Sequence, residues 1–316
     1  MSKSLSLLAG TGYAAIFGFS FLVTKGALAV LDPMELIFVR FLVAAILMTI
    51  LAATGIIKIR YSGKKIGILA GMVLFQPVLY FIFETYGVRE SATSTAGIIL
   101  GALPAIVALL GLVFLKERIT KIQSLGLGLS VLGVVIVVAL GAQSQTGAEG
   151  TLRGAILLIG SMLSAAFFNI FSRKASRTFT DYERTFAMMW SGALAFGIIV
   201  LVRYMANGGS LPPPSAGAQN LVLSSLPARA LSVWFAIFYL GVLSSVIAFF
   251  LINFSLTRLK ASQSAVFANL ITVITVVAGV AVRGEKFDIV QGVGAVVIIL
   301  GIFLANSGKN EGKSAD

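Results

Sequence analysis

With 316 residues, 58% of them hydrophobic, 11% charged and a mean hydropathy of +1.00, the chain has too little polar surface to clothe a water-soluble globule. It contains no Cys and no His, which excludes soft-metal sites, disulfides, thiol chemistry and Ser-His catalysis. A net charge of +12 points to nucleic acid only in a soluble chain with a basic face interleaved with stacking aromatics, and no such face occurs, so no nucleic-acid partner is expected.

Ten apolar stretches follow one another, each near the roughly 20 residues that a spanning helix needs. They run from Leu5 to Val30, Leu36 to Ala53, Ile66 to Tyr86, Ser91 to Leu115 and Ile122 to Leu140 in the first half. In the second half they run from Leu152 to Ser172, Thr185 to Met205, Leu231 to Ser255, Ala261 to Val282 and Phe287 to Ala305. Because hydrocarbon forces the backbone to satisfy its own hydrogen bonds, and the runs lack the alternation of barrel strands, they predict an all-α polytopic membrane protein of ten transmembrane helices. The first stretch is too long and too continuous with this pattern for a cleaved signal peptide. The link 206–230, with Gly208-Gly209 and Pro212-Pro213-Pro214, reads as an extended external loop, either a tolerated insertion or a lid.

The 24 Lys and Arg residues orient the chain. With the N-terminus inside, sixteen fall on the inner side (Lys3, Lys58, Arg60, Lys64, Lys65, Lys116, Arg118, Lys121, Arg173, Lys174, Arg177, Arg184, Arg258, Lys260, Lys309, Lys313) and eight elsewhere. This bias places both termini in the cytoplasm of a cell whose inner (plasma) membrane holds a multi-pass protein.

One signature occurs twice, 168 residues apart: Leu115-Lys116-Glu117-Arg118 and Arg283-Gly284-Glu285-Lys286 each close an apolar stretch. The same offset carries Gln123 onto Gln291, Gly126 onto Gly294 and Gly133 onto Gly301, and sets Ser94-Thr95-Ala96 beside Ser262-Gln263-Ser264. The first and sixth stretches match at an offset of 149 instead, the long link accounting for the difference. The chain thus divides into a first repeat over 1–140, a second over 141–306 and a polar cytoplasmic tail over 307–316. Five helices per repeat is an odd number, so the second repeat enters the membrane from the opposite side and the two are inverted. Small residues at packing intervals (Gly67 and Gly71, Gly97 and Gly101, Gly126 and Gly133, Gly294 and Gly301) let helices approach closely, either as static packing or as moving or dimer surfaces. The fifth and tenth stretches, nearly free of polar residues, are expected outside any pathway.

These residues, above all Ala92 to Val138 and Ala261 to Leu304 with their acidic-basic link and glycine-rich helix, resemble the EamA branch of the drug/metabolite transporter superfamily. The resemblance covers nearly the whole chain and implies two five-helix EamA repeats and a secondary transporter, not an enzyme. It implies export of small metabolites, amino acids foremost, with drugs or nucleotide-like metabolites as the alternative. Thr272 departs from the pattern opposite Pro104, so a kink available to the fourth helix is not expected in the ninth. No Walker-type glycine loop supports primary pumping, no cofactor is implied, and the partners are lipid and a small-molecule substrate, with monomer and oligomer both open. A channel or a scaffold is the reading from another class; it needs a polar stripe through both leaflets or a large soluble surface, and neither is evident.

Charges within spans cost about 2.5 to 3.5 kcal/mol each, so each asks for a reason. Lys25, Arg40 and Glu84 fall at similar depth in the outer half. Glu84 reads either as a proton-coupling carboxylate or ligand for an amino group, with Lys25 and Arg40 holding a carboxylate or switching partners as gating charges during opening, or the three snorkel to headgroups beside Asp32, Glu35 and Arg89. Polar and aromatic residues at mid-span complete the candidate cavity, expected along helices one, three, four, six, eight and nine. They are Tyr13, Phe17, Ser20 and Thr24, then Gln76, Tyr80 and Phe83, then Thr95, then Phe168 and Asn169, then Tyr239, Ser245, Phe249 and Asn253, then Gln263 and Asn269. Among them Gln76, Asn169 and Asn269 stand out because a buried amide needs partners. Pro77, beside Gln76, removes a helix hydrogen bond, leaving a kink or a carbonyl aimed at the cavity.

Overall fold

The structure, a computed structural model, describes residues 3–115, 120–144, 152–208, 233–258, 261–286 and 288–307. The link from 209 to 230, Lys116 to Arg118 with Glu117, and the tail from 308 lie outside the described residues, as do the side chains of Leu115 and Gln263. The described residues carry helices and no strand. We number the rods α1 Lys3–Ala27, α2 Pro33–Ala53, α3 Gly67–Arg89, α4 in two pieces (Thr93–Gly101 and Leu103–Leu115) and α5 Lys121–Ser144. The second half holds α6 Leu152–Ala175, α7 Asp181–Ala206, α8 from Val233 to Ser255, α9 Ala261–Arg283 and α10 Ile289–Ser307. Seven of them, α2 to α8, are long and apolar enough to cross a membrane, and shorter apolar stretches lie at Asn269–Arg283 and Ile289–Leu304.

Local chemistry sets the ends. Asp32 accepts the Met34 amide at 2.9 Å with Pro33 at the first helical position, so α2 begins three residues before its apolar run. Thr180 and Glu183 form a capping box that starts α7 at Asp181, ahead of Thr185. Gly284 turns with φ +66 to end α9. Pro104, which has no amide hydrogen to give, follows the break that divides α4 at Ala102, whereas α9, with Thr272 at the matching position, is continuous. Outward on α7, Ile198, Leu201 and Met205 stay more than half exposed, a stripe suited to lipid.

The two halves are related by a dyad that can be located from contacts between equivalent residues. Ser130 on α5 donates to the carbonyl of Ile298 on α10 at 3.4 Å, and these two are 168 residues apart. The rings of Phe81 on α3 and Phe249 on α8, also 168 apart, lie 6.2 Å from one another. A residue that touches its own counterpart lies on the axis. Around it the contacts are reciprocal: a Cβ on Gly301 would fall 2.6 Å from the Gly126 carbonyl, and one on Gly133 would fall 2.8 Å from the Gly294 carbonyl. The sequence rises along α5 while it falls along α10, so the repeats are inverted. α5 and α10 pack on each other through these small residues, within one subunit, away from the interior of α2, α3, α6, α7 and α8. A second close crossing joins α4 to α9, where Thr272 donates to the Gly97 carbonyl at 3.0 Å.

Candidate functional site

Two irregular turns flank the dyad. In α3 the stretch Leu74–Leu79 is π-helical, with Gln76 extended (φ −149, ψ 117) ahead of Pro77. In α8 the stretch Tyr239–Ala248 is π-helical as well. The 168-residue offset superposes Gln76-Pro77 on Ser244-Ser245, so the two widened turns occupy equivalent places in the two repeats. Insertions of this kind release backbone groups from regular pairing and turn side chains inward, and they concentrate at functional sites.

Arg40 of α2 points into the α8 turn. It is 3% exposed; its Nε donates to Ser245 Oγ at 3.1 Å and its Nη2 to Ser244 Oγ at 2.9 Å. The guanidinium lies 4.4 Å from the Phe81 ring centroid and 5.6 Å from that of Phe41, within cation-π range. Glu84, 3% exposed, sits one turn beyond Phe81 on α3, accepts from Thr85 Oγ1 at 3.0 Å, and feels the charge of Arg40 without forming an ion pair with it. Arg40, Tyr80, Glu84, Ser245 and Phe249 therefore converge at the dyad, on three helices from both repeats. From Phe249 an aromatic series runs through Phe17 (5.3 Å) and Tyr13 (6.1 Å) to Phe267 (5.8 Å), bringing α1 and α9 to the same place. The Gln76 amide, 7% exposed, makes no side-chain hydrogen bond to the described residues.

Other candidates go elsewhere. Lys25 donates to the carbonyls of Arg89 and Ser91, at 3.1 and 2.8 Å, across the end of α3. Ser20 bonds the Phe17 carbonyl, and Asn169 turns back onto the Ala165 carbonyl of its own helix. Thr24 Oγ1 and Asn269 Oδ1 are buried without a hydrogen bond to the described residues. Phe83 packs at Gly160 of α6, Phe168 is buried in the core, Tyr239 donates to the Ile16 carbonyl, and Thr95 receives Gln291 Nε2 at 3.0 Å.

Asn253 belongs to a second polar cluster built around Arg184. That side chain, counted from sequence among the inner-loop charges, is fully buried in the first turn of α7. It donates to the Ser172 carbonyl and hydroxyl on α6, to the Asn253 carbonyl on α8, and to Asp181. Asn253 completes the cluster by donating to Thr185 and accepting from Ser172. Beside it Glu183 receives Lys64 at 2.6 Å and the Arg60 amide at 2.9 Å, clamping the α2–α3 link to α7. At the other end of the molecule Asp32 pairs with Arg203 at 2.7 Å.

The repeated signature also has a role in the packing. Glu285 accepts the amides of Thr93 and Ser94, both at 2.8 Å, and so caps α4 of the opposite repeat. Burial works against its charge, but the two amides outweigh it and hold its carboxyl below the usual glutamate range. Gln123 and Gln291 each accept an amide three residues before them, from Thr120 and Asp288, at the starts of α5 and α10.

Ser244, Phe81, Phe41 and Arg184 were not among the sequence candidates. The offset itself points to Ser244 and Ser245 through Gln76-Pro77; no comparable signal exists for Arg184, whose partners come from three helices.

The profile of the EamA-like transporter family matches residues 4–139 and 152–307. YcxC of Bacillus subtilis (strain 168), named an uncharacterized transporter, is 33% identical over 294 residues, which are 93% of this chain and 90% of that one. A Salmonella typhimurium (strain LT2) protein named "Probable amino-acid metabolite efflux pump" is 21% identical over 92% of this chain and 90% of its own. A solved crystal structure, 16% identical, aligns over 96% of this chain and 97% of its own with a TM-score of 0.65, a likeness of fold alone.

Proposed function

Because this chain belongs to the EamA-like transporter family, we propose that it is a secondary carrier that exports small metabolites, amino acids foremost, by alternating access around a central cavity between its inverted repeats. The observation that carries this reading is the meeting of Arg40 of the first repeat with Ser244 and Ser245 of the second, beside the Phe81-Phe249 contact on the dyad. Carriers built from inverted repeats hold cargo where the repeats meet, near the bilayer midplane and at broken helices, and the two π turns supply such breaks here. The groups that meet at the dyad mix hydroxyls, aromatic rings and one charge of each sign, which suits an amphipathic organic solute rather than an inorganic ion. The relative named for amino-acid metabolite efflux supports the same cargo class and the outward direction. The protein works as a multi-pass carrier of the inner membrane with both termini in the cytoplasm.

Counterflow tests it. Purified protein in liposomes preloaded with unlabelled amino acids takes up labelled amino acid transiently above equilibrium, and uptake saturates. Uptake that rises linearly with concentration and shows no overshoot for any member of the panel contradicts the proposal.

A further inference from the structure

We propose that Arg40 and Glu84 are the two poles of a zwitterion-binding subsite, Arg40 taking the carboxylate and Glu84 the protonated amine of the cargo; this deepens, and rests on, the carrier reading above. Arg40 is a guanidinium within a membrane span, 3% exposed, that forms no ion pair with the described residues. It has five N–H groups in a planar fork, and its protein partners are two neutral hydroxyls, Ser245 at Nε and Ser244 at Nη2. The Phe81 ring centroid lies 4.4 Å from the guanidinium carbon, and with Nε and Nη2 bonded to serines, Nη1 carries no hydrogen bond among the described residues. A buried guanidinium whose hydrogen-bond acceptors are two neutral hydroxyls has no ion-pair partner, and a carboxylate adds the opposite charge and a bidentate geometry that hydroxyls lack. A ligand carboxylate therefore displaces the serine hydroxyls on favourable terms.

Glu84 supplies the second pole. Its only hydrogen-bond donor among the described residues is the neighbouring Thr85 hydroxyl, and it lies on the same face of α3 as Phe81, about 4.5 Å further along the axis at 1.5 Å per residue. Arg40 lies at the Phe81 ring and Glu84 one turn beyond it on α3, and no ion pair joins them among the described residues. Two opposite charges buried on either side of an aromatic ring match a molecule bearing both a carboxylate and an ammonium group. They match poorly a molecule bearing one of the two, because the unmatched pole then stays buried and uncompensated.

The test is ligand-dependent thermal stabilisation of the purified full-length protein in detergent. The probes are a panel of L-amino acids, each with its decarboxylated amine and its carboxylic acid lacking the amino group. Wild type is expected to bind at least one amino acid at least about tenfold more tightly than either analogue. Arg40→Gln should bind that amino acid and its amine within about twofold of each other, while still rejecting the acid; Glu84→Gln should do the converse. Should Arg40→Gln not fold, Arg40→Lys carries the test: a point charge without the fork gives discrimination between that of wild type and none. Undiminished discrimination in the folded Arg40 variant, or stabilisation of wild type by the amine as strongly as by the amino acid, overturns the subsite. So does the failure of every amino acid in the panel to stabilise wild type. Binding with this pattern but without counterflow would refute the carrier reading alone, whereas counterflow with an indifferent Arg40 variant would refute the subsite alone.

Discussion

Glu285 is the acid of the repeated signature, and its two amide contacts convert a sequence motif into a cross-repeat tie. Replacing it with Gln removes the charge from the α4 cap and is expected to lower stability by about 1 kcal/mol, read as a lower apparent melting temperature in detergent. Its carboxyl titrates below the ordinary value of 4.5 in the folded chain, so its contribution is complete above that pH and is lost as the pH falls through the depressed folded value. Wild type should accordingly lose stability relative to Glu285→Gln when the pH drops below about 4.5, and a constant difference between the two would contradict the assignment. Arg184 poses a different case, a fully buried charge whose two terminal nitrogens donate to acceptors on three helices. Arg184→Met leaves Asp181 and the Ser172 and Asn253 acceptors behind, and a loss of about 3 kcal/mol is expected, with Lys recovering only part because it lacks the fork. A melting temperature unchanged by Arg184→Met would show the cluster to be dispensable. The sequence marked Glu285 through its repetition, yet it filed Arg184 among loop charges, since a basic residue four positions after a polar link looks the same whether it snorkels or is bonded within the fold.

At the level of elements, apolar length predicted where the rods lie because hydrocarbon leaves the backbone few alternatives. The same criterion overlooked the polar first turns: α2 and α7 start at Pro33 and Asp181 because Asp32 and the Thr180-Glu183 box cap them, a signal readable in Thr180-Asp181-Tyr182-Glu183 but invisible to hydropathy. The π turn of α8 was hidden for another reason: Tyr239 to Ala248 contains no proline, and its widening is settled by packing against α1 and α2. Small-residue spacing, by contrast, translated directly into the α5-α10 contact. A side chain at Gly301 would collide with the Ser130 amide at 2.5 Å and the Gly126 carbonyl at 2.6 Å, both backbone atoms that cannot rotate away. Gly301→Leu should therefore destabilise the protein by about 2 kcal/mol or more, seen as loss of the monodisperse peak in size-exclusion chromatography on mild heating. Gly128→Leu on α5, where a Cβ meets nothing within 4 Å, is the control expected to behave as wild type.

At the scale of the whole molecule, the 168-residue offset acquires a physical meaning in the dyad through Ser130-Ile298 and Phe81-Phe249. Duplication was legible because signature residues repeat in register; the candidate site was only partly legible, because the duplication is imperfect there. Gln76-Pro77 in one repeat answers to Ser244-Ser245 in the other, and Arg40 faces only the second pair. That broken symmetry places Arg40 and its two serines beside the axis of a nearly symmetric frame, where the proposed alternating access has its centre. The chain has no cysteine of its own, so a single Gln76→Cys variant is a clean reporter of this central position. Labelling that residue with a membrane-impermeant maleimide, in right-side-out and inside-out vesicles, with and without the amino acid that shows counterflow, shows whether the centre opens to each face in turn. The prediction is reaction from both faces, slowed on each side by bound cargo; reaction confined to one face under every condition, or to neither, would contradict alternating access around this site.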